Sequence, residues 1–193
     1  MQYKDTLYNA STQKALGIDP AFGSSKTAFT VIEIVDGIIH VIYSKQFTNS
    51  STQQMVMHAR DLMIQYGILG NDYNKVLCDS SQPGFIRSLK YQTGENPNYE
   101  QVIEKARRDG LEDRLVLYMN ICPINFSTNH KLMLGNVKKY MDMGRVAINP
   151  EEHKELLTEL RIATANEDIS LEKDKTNTFD LLDSFRLAMY FVK

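Results

Sequence analysis

The amino-acid sequence predicts a mixed α/β sheet: three antiparallel strands first, then parallel strands joined by helices, then a helical C-terminal end. Three observations predict it. Residues 27 to 35 (TAFTVIEIV) and 38 to 47 (IIHVIYSKQF) are β-branched and aromatic runs separated by Asp36-Gly37, a type I′ hairpin signal. Ser50 to Gly67 carries Met55, Ala59, Leu62, Met63 and Tyr66 at helical spacing. The short apolar run Lys75 to Asp79 comes next, and strand, helix, strand in that order implies a parallel crossover.

Taken in order, residues 1–14 are polar and aperiodic, which marks an N-terminal tail or a linker to something upstream, with one domain expected over 15–193. Residues 15–19 (ALGID) form the first strand, paired with the hairpin that follows. The helix over 50–67 opens on Ser/Thr and closes on Gly67. After the strand at 75–79, Ser80-Ser81-Gln82-Pro83-Gly84 makes a break, and FIRSLKYQ suits a turn or two of helix. Residues 93–113 are polar, with a helix predicted from Asn98 to Asp109. Arg114 to Phe126 is the next strand, in which Pro123 limits central pairing. Helices are predicted at 127–143, at 150–165 with Pro150 in the first turn, and at 178–192, with strand-like RVAI and DISLEK between them.

Composition narrows the function classes. A chain of 193 residues with 42% hydrophobic content buries one real core but hardly two. The formal net charge of -2 excludes a polybasic protein and leaves any nucleic-acid affinity to local patches. Two cysteines, Cys78 and Cys122, exclude a disulfide scaffold and a four-thiolate zinc site, and point to a reducing intracellular setting. No apolar run reaches the roughly 18 residues of a membrane span, so no membrane association is expected. His40, His58, His130 and His153 show no pair at metal spacing, which argues against zinc.

The acids carry the chemistry. Asp19, Asp79 and the pair Asp180 and Asp183 each sit at the end of a predicted element. If the strands ending at Asp19 and Asp79 are parallel neighbours, both carboxylates emerge at the edge where open α/β sheets build their sites. Asp180 and Asp183, three residues apart, share one face of the last helix and can join them. Such a cluster repels itself unless hard cations neutralise it, and oxygen donors suit Mg²⁺ or Mn²⁺. Two such ions about 4 Å apart activate water and stabilise the leaving oxygen of a phosphodiester. Each acid also has a structural use. Asp19 before Pro20 and Asp79 before Ser80-Ser81 can open turns, while Asp180 and Asp183 offset a helix dipole and Asp183 is placed to pair with Arg186.

The ordered segments GIDPAFGSSKTAFTVIEI, KVLCDSSQPGFIRSL, CPINFSTNHKLMLGNVKKYMDMGRVAI, EEHKELLTELR and TFDLLDSFRLAMY carry a family resemblance. From about Ala15 to the end, the chain resembles the nuclease domain of the large terminase subunit of tailed viruses. The resemblance implies a ribonuclease H-like fold and a metal-dependent endonuclease that cuts double-stranded DNA during genome packaging with two divalent cations, Mg²⁺ or Mn²⁺. It implies Asp19, Asp79 and Asp183 as the catalytic acids, and Asp19, Asp79, Asp180 and Asp183 as the metal ligands. Phe179 stands where the helix motif often has its first acid, and Ser24-Ser25-Lys26 where a further acid is common. It further implies an upstream ATPase domain absent from this chain, a portal and a small terminase subunit as partners, and the cytoplasm of a host cell.

Lys131, Lys138, Lys139 and Arg145 against Asp142 make a local positive excess suited to a DNA backbone, as do Arg87 and Lys90 beyond Asp79; solvated helix faces are the alternative. Met55, Met57, Met63, Met141, Met143 and Met189 are expected as core filler. Gly23-Ser24-Ser25-Lys26-Thr27 looks like the end of a phosphate loop but lacks Gly directly before Lys. Other ribonuclease H-like nucleases of resolvase or transposase type remain alternatives, as does a non-catalytic DNA-binding packaging module. An actin-like or sugar-kinase ATPase would need a second glycine-bearing phosphate hairpin, and the sequence has none.

Overall fold

The structure, a computed structural model, describes residues 12–21, 26–68, 74–92, 108, 121–163 and 179–192. The predicted helix at 98–109 (save Arg108), the strand residues 114–120, DISLEK and Ser24-Ser25 lie outside the described residues. The described elements run β1 (Gln13–Asp19), β2 (Thr27–Val35), β3 (Ile38–Phe47), α1 (Thr52–Gln65), β4 (Lys75–Asp79), α2 (Pro83–Gln92) and β5 (Ile121–Ile124). They continue with α3 (Phe126–Asp142), β6 (Val146–Ile148), α4 (Lys154–Ile162) and α5 (Asp180–Met189). The strands form one six-stranded sheet in the order β5-β4-β1-β2-β3-β6. β1, β2 and β3 pair antiparallel, whereas β4 pairs parallel with β1, β5 with β4 and β6 with β3.

Local chemistry sets these elements. Asp36 and Gly37 take φ of 51° and 75°, the left-handed pair that a two-residue I′ turn requires. Ser51 and Gln54 cap α1 reciprocally, so two of its first-turn N–H groups are satisfied. Pro123 is accommodated because, among the described residues, β5 lies at the end of the sheet and pairs with β4 alone. β1 takes in Gln13 and Lys14, which the sequence pattern assigns to the N-terminal segment. Lys14 is buried and lies 3.3 Å from Glu33 of β2.

The helix predicted from Pro150 starts four residues later. The Asn149 side chain accepts the Glu151 N–H at 3.0 Å, holding residues 150–152 in a turn. His153, ahead of α4, is buried: its Nε2 donates to the Val41 carbonyl at 3.0 Å, so its Nδ1 accepts from the Ser44 hydroxyl at 3.1 Å. That neutral ring ties the start of α4 to β3.

Two apolar cores flank the sheet. α1 and α2 cover one face through Met55, Leu62, Met63, Phe85 and Leu89; α3, α4 and α5 cover the other through Met133, Val137, Leu156, Phe185 and Met189. Of the methionines expected as core, Met55, Met63 and Met189 are buried, Met57 is half-buried, and Met141 and Met143 are exposed at the end of α3. All ten residues of α5 are buried, charged ones included. Among the described residues no helix is long and apolar enough to cross a membrane.

Candidate active site

Asp19 and Asp79 are the last residues of β1 and β4. The parallel register runs from Ala15 opposite Lys75 to Ile18 opposite Cys78, so the next residues, the two aspartates, leave neighbouring strands at one edge. Parallel neighbours lie about 4.8 Å apart. Both acids are half-buried. Asp79 also serves its turn: its Oδ1 accepts the Ser81 N–H at 3.1 Å and its Oδ2 the Ser81 hydroxyl at 2.5 Å. The structural use and the edge placement coexist.

α5 brings the third acid. It presses on β1 at Gly17, where a Cβ would collide with the Ser184 carbonyl oxygen and stand 2.6 Å from the Ala188 nitrogen. Only glycine permits this approach. The Ser184 hydroxyl donates to the Leu181 carbonyl at 2.9 Å, leaving Thr30 of β2 to donate to Ser184 Oγ at 2.7 Å. The first turn of α5 is thereby pinned to the sheet beside Asp183, which is 4% exposed.

Arg186, one turn after Asp183 on α5, is the buried cation beside this acid. Its Nη2 lies 2.6 Å from Asp183 Oδ1, and the side chain is 1% exposed. Burial pulls its pKa down; the charges of Asp183, Asp19 and Asp79 push it back up. The same cation thus senses all three acids. Nη1 donates to His130 Nδ1 at 2.9 Å, which makes His130 neutral, and the guanidinium carbon stands 4.1 Å over the Phe126 ring.

Asp180 is buried too, but its charge acts on a different neighbour, Glu159 of α4. Glu159 accepts the Leu182 N–H through Oε2 at 2.8 Å, capping α5 from outside. Burial pushes the Glu159 pKa up to about 7; the bond from Leu182 opposes the shift, and Asp180 and Asp183 add to it. Cys78, between the strand acids, has its thiol pushed up by burial and by Asp79 and Asp19, so it is no nucleophile.

The predicted basic residues divide. Arg87 is exposed and Lys90 half-buried on α2, which starts four residues after Asp79, so they lie about 6 and 10 Å along its axis from the acid edge. Lys131 is exposed near the start of α3, at the end where Phe126 meets Arg186. Lys138, Lys139 and Arg145 do not join them. β5 runs parallel to β4, so α3 begins at the acid edge and runs back, carrying Lys138 about 18 Å away along its axis. Arg145 lines a cavity of about 370 Å³ with Gln13 and Ile39, at the opposite end of the sheet. Lys138 pairs there with Asp142 at 2.7 Å.

Three exposed or half-exposed cations thus lie near the acids and three lie far from them. The sequence pattern assigns Phe126, His130 and Glu159 no role at this site, though His130 is the one histidine it sets near a site edge. The only signal for the first two was their place in the first turns of the helix that follows β5.

The donor set suits hard divalent cations: three carboxylates, oxygen only, on the ends of rigid elements. As placed, no group of three or more His, Cys, Asp or Glu among the described residues is close enough to hold a metal ion, and Arg186 engages Asp183.

No protein-family model and no curated protein matches the sequence. Solved structures do match. The large terminase nuclease of thermophilic phage G20c superposes with a TM-score of 0.60 at 16% identity, over 94% of this chain and 83% of that one. Its cobalt-bound form gives 0.64 at 16% identity, over 94% and 82%. The large terminase nuclease domain of Thermus phage P74-26 gives 0.59 at 16% identity, over 94% and 80%. The large terminase of a further thermophilic bacteriophage matches 93% of this chain over 40% of its own, at 14% identity and a TM-score of 0.58. With its antiparallel first three strands and parallel later ones, the chain has the ribonuclease H-like fold of large-terminase nuclease domains.

Proposed function

We propose that the chain is a metal-dependent endonuclease that hydrolyses phosphodiester bonds of double-stranded DNA, as the nuclease domain of a terminase in viral genome packaging. The observation that supports it most is that Asp19 and Asp79 leave adjacent parallel strands at one edge, while Asp183 of α5 pairs with Arg186, a buried cation on which the charges of both strand acids also act. The phage nucleases that share the fold include forms solved with magnesium, zinc and cobalt.

Asp19, Asp79 and Asp183 would hold two divalent cations, Mg²⁺ or Mn²⁺, with Asp180 behind them. When bound, such ions supply the activation of a water and the stabilisation of the leaving oxygen. The chain's own groups position rather than attack. Cys78 is protonated and buried, and His130 Nδ1 is committed to Arg186. This reading uses neither as a nucleophile and assigns the attack to water. The strand ends fix Asp19 and Asp79, the Gly17 contact fixes α5, and Arg87, Lys90 and Lys131 offer positive charge for phosphates flanking the edge.

In the assembled machine, an upstream ATPase domain, a portal and a small terminase subunit would be its partners, in the cytoplasm of a host cell. Supercoiled plasmid incubated with the protein in Mn²⁺, in Mg²⁺ and in EDTA tests the activity. Nicked and linear product with metal and none in EDTA is expected. Intact plasmid in every tube would leave the non-catalytic DNA-binding role in its place.

A further inference from the structure

Arg186 is the largest fully buried side chain among the described residues, and its surroundings are unequal. One terminal nitrogen meets Asp183 at 2.6 Å and the other donates to His130 at 2.9 Å, while the guanidinium face rests on Phe126. The buried Nε makes no hydrogen bond among the described residues. A guanidinium can engage a carboxylate through two parallel bonds, and here it reaches Asp183 through one nitrogen. A buried donor left unbonded costs free energy, so this is not the tightest grip the chemistry allows. The geometry is that of a cation that offsets part of the negative charge of the acids, held by Asp183 on one side and by His130 and Phe126 on the other.

We propose that Arg186 is an internal counter-cation of the acid cluster, a positioning residue that holds Asp183 in the metal-free protein and competes with divalent cations for that carboxylate. The proposal rests on the reading of Asp19, Asp79 and Asp183 as metal ligands. Without Arg186, three carboxylates at one edge repel one another, and the metal-free domain loses stability. With it, one of the three charges is offset, and apparent metal affinity is lowered by the ion pair that must loosen. Linkage makes the effect reciprocal: whatever factor Arg186 takes from metal binding, bound metal takes from the Arg186–Asp183 pair.

Melting curves of wild type, Arg186→Met and Arg186→Lys, in EDTA and across a Mn²⁺ titration, decide the matter with no activity readout. Met keeps much of the apolar stem over Phe126 and loses the charge. In EDTA, Arg186→Met is expected to melt below wild type. On adding Mn²⁺ it is expected to gain more than wild type, with apparent affinity tighter on the order of tenfold. Arg186→Lys, which keeps a point charge, is expected between the two.

A merely structural arginine lowers the metal-free and loaded curves alike, so an equal or smaller Mn²⁺ gain in Arg186→Met overturns the proposal while leaving the metal site standing. No Mn²⁺ gain in wild type overturns the metal site itself and the competition with it. Should Arg186→Met fail to fold, Phe126→Leu removes the ring under the guanidinium and keeps the charge. A larger Mn²⁺ gain then supports the proposal, and an unchanged gain overturns it.

Discussion

Gly17 of β1 and Ser184 of α5 are in backbone contact: a Cβ at position 17 would collide with the Ser184 carbonyl oxygen. This approach sets how far Asp183, next to Ser184, stands from Asp19, two residues after Gly17. Gly17→Ala is expected to push α5 off the sheet, because the obstructing atoms are backbone and cannot rotate away. Overpacking of this kind costs about 1–3 kcal/mol and occasionally more, and the upper end is expected here. Urea unfolding gives the cost, and a Mn²⁺ melting shift as large as that of wild type would show that the acids had not moved apart.

The three acids are expected to be equivalent for cleavage and unequal for stability. Asp19→Asn, Asp79→Asn and Asp183→Asn should each lower plasmid cleavage by more than the roughly 100-fold that loss of an outer-shell partner costs. Asp180→Asn, whose carboxylate acts on Glu159, should have the smaller effect. Asn at position 79 can still accept the Ser81 N–H, so that variant should keep the fold. Asp183→Asn instead leaves Arg186 buried without its anion. Breaking one side of a buried pair costs about 3–5 kcal/mol, so Asp183→Asn should unfold at clearly lower urea than the other two. Equal midpoints for all three would dismiss the ion pair as a stabilising contact.

DNA affinity should follow the division of the basic residues. Arg87→Ala and Lys131→Ala, near the acid edge, are each expected to weaken binding evenly across sequences and to reduce the salt slope by about 0.9. The double change Lys138→Ala and Lys139→Ala, at the far end of α3, is expected to leave the slope unchanged. Measuring log Kd against log salt for the three proteins separates these outcomes, and a reduced slope in the double variant would carry the DNA path down to the far end of α3.

Much of this arrangement was legible in the chain. Asp36-Gly37 marked the β2–β3 turn because two left-handed residues in succession are rare outside Gly, Asn and Asp. The strand–helix–strand order ending at β4 placed Asp79 beside Asp19 through the parallel rule. Arg186 was visible as an i+3 partner of Asp183, but its burial was not, since α5 is enclosed on all sides and its sequence does not say what encloses it. Which end of α3 carries Lys138 and Lys139 was not legible from their charge, for a different reason. Charge counted along a helix says nothing about which end meets the site. The parallel β5 did carry that information, because a helix leaving a parallel strand starts at the acid edge and runs back. Glu159 was hidden because its partner, the Leu182 N–H, lies 23 residues on at the start of another helix, and a cap supplied across helices leaves no local spacing to read.

Glu159 links this architecture to pH. Its carboxyl is buried, its Oε2 accepts the Leu182 N–H, and Asp180 and Asp183 lie close by. Burial first, and then those two charges, raise its pKa from 4.5 to about 7, with the Leu182 bond opposing. An acid raised on folding keeps its proton in the native state where the unfolded chain has lost it. Its contribution to stability is therefore complete below about pH 4.5, falls as pH rises through the window to about 7, and is lost above it. The slope in that window is at most about 1.4 kcal/mol per pH unit. Glu159→Gln keeps an acceptor for Leu182 and has no proton to lose. Urea unfolding in EDTA at pH 5, 6, 7 and 8 should show wild type losing stability relative to Glu159→Gln up to about pH 7 and running parallel to it beyond. Parallel profiles across the whole range would mean that Glu159 is already ionised in the folded protein, held by the α5 N-terminus more strongly than burial opposes it.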